Sequence, residues 1–146
     1  MQESLHYWLM ANHLTVQKTL VARIKDTRLT PGQPKILDYL KNHDGAVQKE
    51  IAAGCHIEPA SVTTILNGME EKGYVRRQTS PENRKYIHIF LTEKGKHYVK
   101  RLEKEFAEIE LAALQNFTKT EQKELMRSME KLYENLLNIR EAGGAE

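Results

Sequence analysis

Between Pro59 and Lys72 the chain carries two kinds of side chain at helical spacing. Val62, Ile65, Leu66 and Met69 recur as one apolar stripe, which predicts a helix with one buried side. Pro59 suits its first position, where the missing N–H would be unpaired anyway. Ser61, Thr63, Thr64 and Asn67 then fall mainly on the opposite side, a row of short donors and acceptors. Gly73 ends the helix, and a basic hairpin follows, with Arg76 and Arg77 on its first strand and Arg84 and Lys85 near its tip. Polar side chains short enough to enter a groove, next to cations that can meet phosphates, are the chemistry of duplex recognition.

The charge distribution points the same way. The whole chain has a formal net charge of +2, but residues 74–101 hold 8 Lys or Arg against 2 Asp or Glu, a net +6. Residues 1–73 balance at 8 against 8, and residues 102–146 hold 6 against 10. A cationic block directly after a candidate recognition helix is the footprint of a phosphate-contacting surface.

Other chemistry finds little support. The 146 residues contain no glycine-rich phosphate loop, no G-x-S-x-G turn and no carboxylate or Cys/His pair in a catalytic setting, so an enzyme is not expected. The histidines (His6, His13, His43, His56, His88 and His97) include no His-x-x-x-His pair, and no metal or cofactor site is expected. A single cysteine, Cys55, cannot form an internal disulfide; it reads as a small packing residue, with a redox-responsive switch as the alternative. No apolar run approaches the roughly 20 residues that span a bilayer. The opening MQESLHYWLMANHL lacks the features of a signal peptide. A cytoplasmic protein without membrane attachment is therefore expected.

Positioning these residues takes a mainly α chain with a small β-hairpin. Residues from Leu5 to about Lys25 predict a first helix, apolar on more than one side. Thr30-Pro31-Gly32-Gln33 reads as a capping box opening a second helix, buried through Ile36, Leu37 and Leu40. A short third helix from Val47 to about Ala53 exposes Gln48, Lys49 and Glu50. Tyr74–Gln78 and Tyr86–Leu91 are the strands, and Thr92 begins a further helix. Thr118 and Glu121 cap a last helix in which Leu125, Met129, Leu132, Leu136 and Ile139 step by 4, 3, 4 and 3, a coiled-coil-like seam. That stripe and the apolar first helix favour a homodimer interface. Residues 1–28 and 104–140 would form the helical dimerisation region, 29–103 a winged helix-turn-helix, and 141–146 a flexible tail.

Taken together, Leu29-Thr30-Pro31-Gly32-Gln33, Ser61-Val62-Thr63 with Leu66, Met69-Glu70-Glu71-Lys72-Gly73-Tyr74-Val75 with Arg77, and Leu91-Thr92-Glu93-Lys94-Gly95 resemble the MarR family of bacterial transcriptional regulators. The resemblance covers the chain from its first helix to about Ile139. It implies an obligate homodimer with interlocked first and last helices. It also implies recognition helices (residues 59–72) in successive major grooves of a palindromic operator, with wings (residues 74–92) in the flanking minor grooves. On that frame, Ser61, Thr63, Thr64, Asn67 and Arg84 are the expected base readers, and Gln48, Lys49, Arg76, Arg77 and Lys85 the expected phosphate contacts. The family also binds small aromatic anions, and His6, Tyr7, Trp8 and His13 are the candidate effector pocket, with plain core and interface packing as the alternative for the same residues.

Two departures stand out. Relatives often carry Asp-x-Arg in the wing, whereas this chain has Glu82-Asn83-Arg84-Lys85. Aligned on Leu91-Thr92, Asn83 and Lys85 take those places; aligned on charge, Glu82 and Arg84 do. Arg84 is the chosen groove reader, because arginine suits a narrow, negative minor groove. The recognition helix has Thr64 and Gly68 where relatives often have arginine, so bidentate guanine readout by arginine is absent there. A winged-helix module that binds a protein partner is the alternative to double-stranded DNA binding.

Overall fold

The computed structural model describes residues 2–144. In chain order it comprises α1 (Leu5–Arg23), a 3₁₀ turn (Lys25–Thr27), α2 (Gln33–Asn42), α3 (Gln48–Cys55) and α4 (Pro59–Glu71). The strands β1 (Val75–Thr79) and β2 (Ile87–Leu91) follow, then α5 (Glu93–Ala113) and α6 (Lys119–Gly144). The chain divides into two compact units, one ending at Ile109 and the other beginning at Glu110.

The first unit is built around one apolar core. Ile36, Leu37 and Leu40 of α2, Ile51 of α3 and Val62, Leu66 and Met69 of α4 are fully buried, and Val75, Ile89 and Leu102 close the core from the strands and α5. Each such side chain contributes roughly 1.5–3 kcal/mol by leaving water. Leu20 of α1 and Ile24 just after it belong to the same core, as do Val99 and Ile109 of α5. The core of the first unit thus draws on the end of α1 and on α5 beyond residue 103 as well as on residues 29–103.

Local signals explain the element ends. Ser4 caps α1, its hydroxyl accepting the Tyr7 N–H at 3.2 Å. The second helix begins later than its sequence signal. The Gln33 half of the capping box forms, with Oε1 accepting the Thr30 N–H at 3.0 Å, but Gly32 has φ +90°, so Pro31 cannot be helical and α2 starts at Gln33. A side chain at Gly32 would also collide with Ile65 of α4. Gly73 (φ +82°) ends α4, with the Tyr74 N–H reaching back to the Met69 carbonyl at 2.9 Å, a Schellman closure.

The wing is an antiparallel pair with Val75 opposite Leu91, Arg77 opposite Ile89 and Thr79 opposite Ile87. Its base is tied to the chain before α3. Gly45 N–H donates to Ile89 O at 2.8 Å, Ile89 N–H to Ala46 O at 2.9 Å, and Leu91 N–H to the Asp44 carboxylate at 2.8 Å. His88 Nδ1 lies 2.8 Å from Gly45 O and completes the anchor. At the exit, the Thr92 hydroxyl donates to Gly73 O at 2.6 Å and accepts the Gly95 N–H at 3.0 Å. Gly95 is required here, because any Cβ would strike the Tyr74 carbonyl.

In the second unit the Thr118–Glu121 capping box forms in both directions, at 3.0 and 3.1 Å, and opens α6. Leu125, Met126, Met129, Tyr133, Leu136 and Ile139 of α6 are all exposed in the single chain. The helix continues to Gly144, so residues 141–144 of the expected tail are helical; 145 and 146 lie outside the described residues.

Candidate nucleic-acid interface

The buried stripe of α4 fixes which residues look outward. Val62, Leu66 and Met69 face the core, and Ser61, Thr63, Thr64 and Asn67 are all exposed, as the spacing predicted. The outward residues are joined to their neighbours by hydrogen bonds. The Thr63 hydroxyl lies 3.2 Å from the Pro59 carbonyl and accepts the Gln48 side-chain amide at 2.5 Å, linking α3 to α4. Thr64 bonds back to Ala60 O at 3.4 Å. Asn67 Oδ1 accepts from Arg77 Nη2 at 2.8 Å, linking α4 to the wing.

Strand alternation separates the two arginines of β1. Arg76 stands on the same face as its partner Phe90, with its guanidinium 4.6 Å from the ring centroid and its Nη1 donating to Gln78 at 3.1 Å. It is exposed and carries its charge outward. Arg77 shares the inner face with Val75 and Ile89, is half-buried, and turns toward α4. Its Nε is shielded from solvent and finds no hydrogen-bond partner among the described residues. Arg77 is thus engaged within the fold through Asn67.

At the wing tip, Asn83 organises the turn. Its Oδ1 accepts the Lys85 N–H at 3.0 Å and its carbonyl accepts the Tyr86 N–H at 3.1 Å. That is the hairpin-fixing part expected of the aspartate position, so the bond favours the alignment that pairs Asn83 with Lys85. Arg84 and Lys85 are both exposed, and neither has an ion pair among the described residues. Lys49 is exposed on α3.

The cationic block is less uniform than its composition. Arg101 donates to both oxygens of Asp26 at 2.7 and 2.9 Å, to Glu105 at 3.1 Å and to the Arg23 carbonyl at 2.9 Å. Arg23 in turn pairs with Glu105 at 2.5 Å and with Glu108. The hydrogen bonds from Arg23 and Arg101 hold the Glu105 carboxyl below its ordinary range, while the pairing raises Arg101 above its own. Lys94 donates to the Lys72 carbonyl at 2.9 Å, and Lys96 pairs with Glu93 at 3.4 Å. With Arg77, four of the eight cations therefore serve the fold, and the charge left for a partner is concentrated on the hairpin.

Cys55 is half-buried, with its thiol donating to Lys35 O at 3.6 Å. Burial, offset in part by Lys35, pushes its pKa up to about 11. A thiol kept protonated is a poor redox nucleophile.

The expected effector residues lie apart from the main cavities of the single chain. His6, Tyr7, Trp8 and His13 are exposed on the first half of α1 and line none of the three main cavities among the described residues. A cavity of about 710 Å³ begins at the next residue, bounded by Leu14, Lys18 and Val21 of α1, Leu29 and Pro31 before α2, and Lys35. The aromatic character of residues 6–13 suggested a pocket, whereas the space comes from the gap between the end of α1 and the bend at Pro31-Gly32. Only the positive φ that Gly32 permits hinted at that bend.

The family model for MarR matches residues 29–87. Among curated relatives, a transcriptional regulatory protein named for the hcr operon of Thauera aromatica is 31% identical over 75 residues, covering 51% of this chain and 45% of that protein. The chain thus matches less than half the length of that relative. Among solved structures, the transcriptional repressor CouR bound to a 23-mer DNA duplex superposes with a TM-score of 0.75 at 26% identity, covering 89% of this chain and 92% of that one. A MarR-family regulator from Listeria monocytogenes, complexed with a 26-mer DNA, reaches a TM-score of 0.88 at 21% identity over 94% of this chain and 91% of its own, and shares the fold. Over residues 29–87 the chain is similar to the MarR family of transcriptional regulators, and its winged helix-turn-helix fold is theirs.

Proposed function

We propose that the chain acts as a homodimeric, ligand-responsive repressor that binds a palindromic operator in double-stranded DNA. The observation that carries this reading is the joining of an exposed polar face on α4 to a cationic hairpin through the Asn67–Arg77 hydrogen bond. Ser61, Thr63, Thr64 and Asn67 read bases in the major groove. The wing tip enters the minor groove through Arg84 or Lys85, with Gln48, Lys49 and Arg76 on phosphates. The DNA duplexes bound to two structural neighbours support this use of the wing and helix, and the name of one supports repression.

Dimerisation is supported by exposed apolar side chains on two helices, Leu5, Trp8, Met10 and Val21 on α1 and Met126, Met129, Leu136 and Ile139 on α6. An exposed apolar stripe of that length in one chain calls for a partner surface. A two-fold dimer meets two half-sites about one helical turn apart. The effector occupies the 710 Å³ cavity, a volume suited to a small amphipathic molecule, with Lys18, Lys25 and Lys35 at its wall to meet an anion. Its binding selects a dimer geometry whose recognition helices no longer span the half-sites. The protein acts in the cytoplasm, by binding and not by catalysis.

Selection of bound duplexes from a random pool tests the reading. A palindrome with half-sites one turn apart is the expected product. Failure to enrich any sequence, together with capture of a protein partner through the wing, would replace it with the interaction-module alternative.

A further inference from the structure

The bond between Asn67 and Arg77 carries a consequence for which base the protein reads; the inference rests on the DNA-binding reading above. An unconstrained asparagine prefers adenine in the major groove, because its carbonyl accepts from N6 while its amine donates to N7. That pairing needs both ends of the amide on the base edge. In this fold one end is engaged. A guanidinium has only donors, so the amide atom 2.8 Å from Arg77 Nη2 must be Oδ1, which fixes the orientation of the group. The amine is left as the outward end on an exposed side chain, one turn beyond Thr63 on the same helical face.

Arg77 is held for this task by its strand position. It shares the inner face of β1 with Val75 and lies opposite the fully buried Ile89. Its Nε is shielded and without a partner among the described residues, so the guanidinium is held against the fold while its Nη2 reaches Asn67 at the surface. An arginine serving phosphates would instead extend outward, as Arg76 does.

We propose that Arg77 is a positioning residue which locks Asn67 as a hydrogen-bond donor. Each half-site then carries an acceptor-rich base edge, guanine O6 and N7 or thymine O4, where adenine would otherwise be favoured.

The test compares operators selected from one random pool by the intact wild-type chain and by Asn67→Ala, Arg77→Met and Arg77→Lys. Asn67→Ala identifies the base position by removing preference at one position of each half-site. At that position the wild type enriches guanine or thymine, and a duplex carrying adenine there binds at least about tenfold more weakly. Arg77→Met, which removes the donors, raises adenine at that position severalfold while other positions hold. Arg77→Lys keeps a donor and the wild-type preference. Adenine enriched by the wild type at that position overturns the proposal without reference to any variant, should Arg77→Met not fold. Unchanged preference in a folded Arg77→Met, uniform weakening with no change of base, or no altered position in Asn67→Ala also overturns it. A wild type that enriches nothing removes the DNA-binding reading itself, an outcome distinct from all of these.

Discussion

The recognition helix and the wing tip, two halves of one surface, are built on opposite terms. The outward polar groups of α4 are already hydrogen-bonded inside the fold: Thr63 to Gln48, Thr64 to Ala60 and Asn67 to Arg77. The wing-tip cations Arg84 and Lys85 have no ion pair among the described residues, although the turn that carries them is fixed by Asn83. Neutral groups held in place discriminate bases at modest energy, whereas free cations release counterions and supply affinity without reading sequence. On the proposed DNA-binding reading, the helix is the reader and the wing the anchor.

The largest expected effect removes both halves at once. Leu66 is fully buried beneath α4, and Leu66→Ala is expected to cost roughly 2–5 kcal/mol of stability. Thermal melting should show a clear drop, with loss of all DNA binding. Gly95→Ala acts at the joint between wing and α5 and should destabilise by about 1–3 kcal/mol through the clash with the Tyr74 carbonyl.

Next comes the wing alone. The double change Arg84→Ala with Lys85→Ala should leave melting unchanged, weaken binding to all duplexes alike, and lower the slope of log K against log salt by about 2. Comparing the single variants tells which residue enters the groove; the Asn83–Lys85 bond predicts that Lys85 is the more costly loss. Lys100→Ala, exposed on α5, is the control. Arg101→Ala is not a usable control, because it would break the ion pairs with Asp26 and Glu105. The helix alone should respond differently. Thr64→Val should cost about 1–3 kcal/mol on the selected operator and almost nothing on random duplex, as measured by fluorescence anisotropy.

Smaller effects come from away from the interface. Glu105 titrates below its ordinary range in the folded chain because of Arg23 and Arg101. Its contribution to stability is therefore complete above the usual carboxylate pKa and is lost as pH falls through the depressed value. Glu105→Gln should lower the melting temperature at pH 7 and make little difference well below pH 4, as a melting series against pH would show. Cys55, with its pKa near 11, should react slowly with iodoacetamide at pH 7.5 and faster with each step above pH 9, while Cys55→Ser leaves DNA binding unchanged.

Much of this was legible in the sequence because it depends on period and punctuation. The stripe Val62, Leu66 and Met69 determined the outward face of α4, and Gly73 marked its end. The hairpin followed from alternation and turn residues. What escaped depends on pairing across the fold. Composition counted Arg101 with the wing cations, but Asp26 and Glu105, 75 residues before it and 4 after, neutralise it. Arg77 looked like its neighbour Arg76, yet register with Ile89 turns it inward. Strand parity from Val75 carried that signal, but only the pairing made it decisive. The cavity was missed for the same reason: a void is formed between elements, and aromatic residues on α1 do not mark where its walls part.

A salt titration of duplex binding, with the wild type beside the Arg84/Lys85 double alanine variant, tests the division between reader and anchor most directly. On the selected operator and on random DNA the double variant should lose the same fraction of affinity, with both slopes reduced by about 2, while the ratio between the two duplexes stays at its wild-type value. A collapse of that ratio with unchanged slopes would mean that the wing reads sequence and the account is wrong. No binding by the wild type even at low salt would contradict it outright.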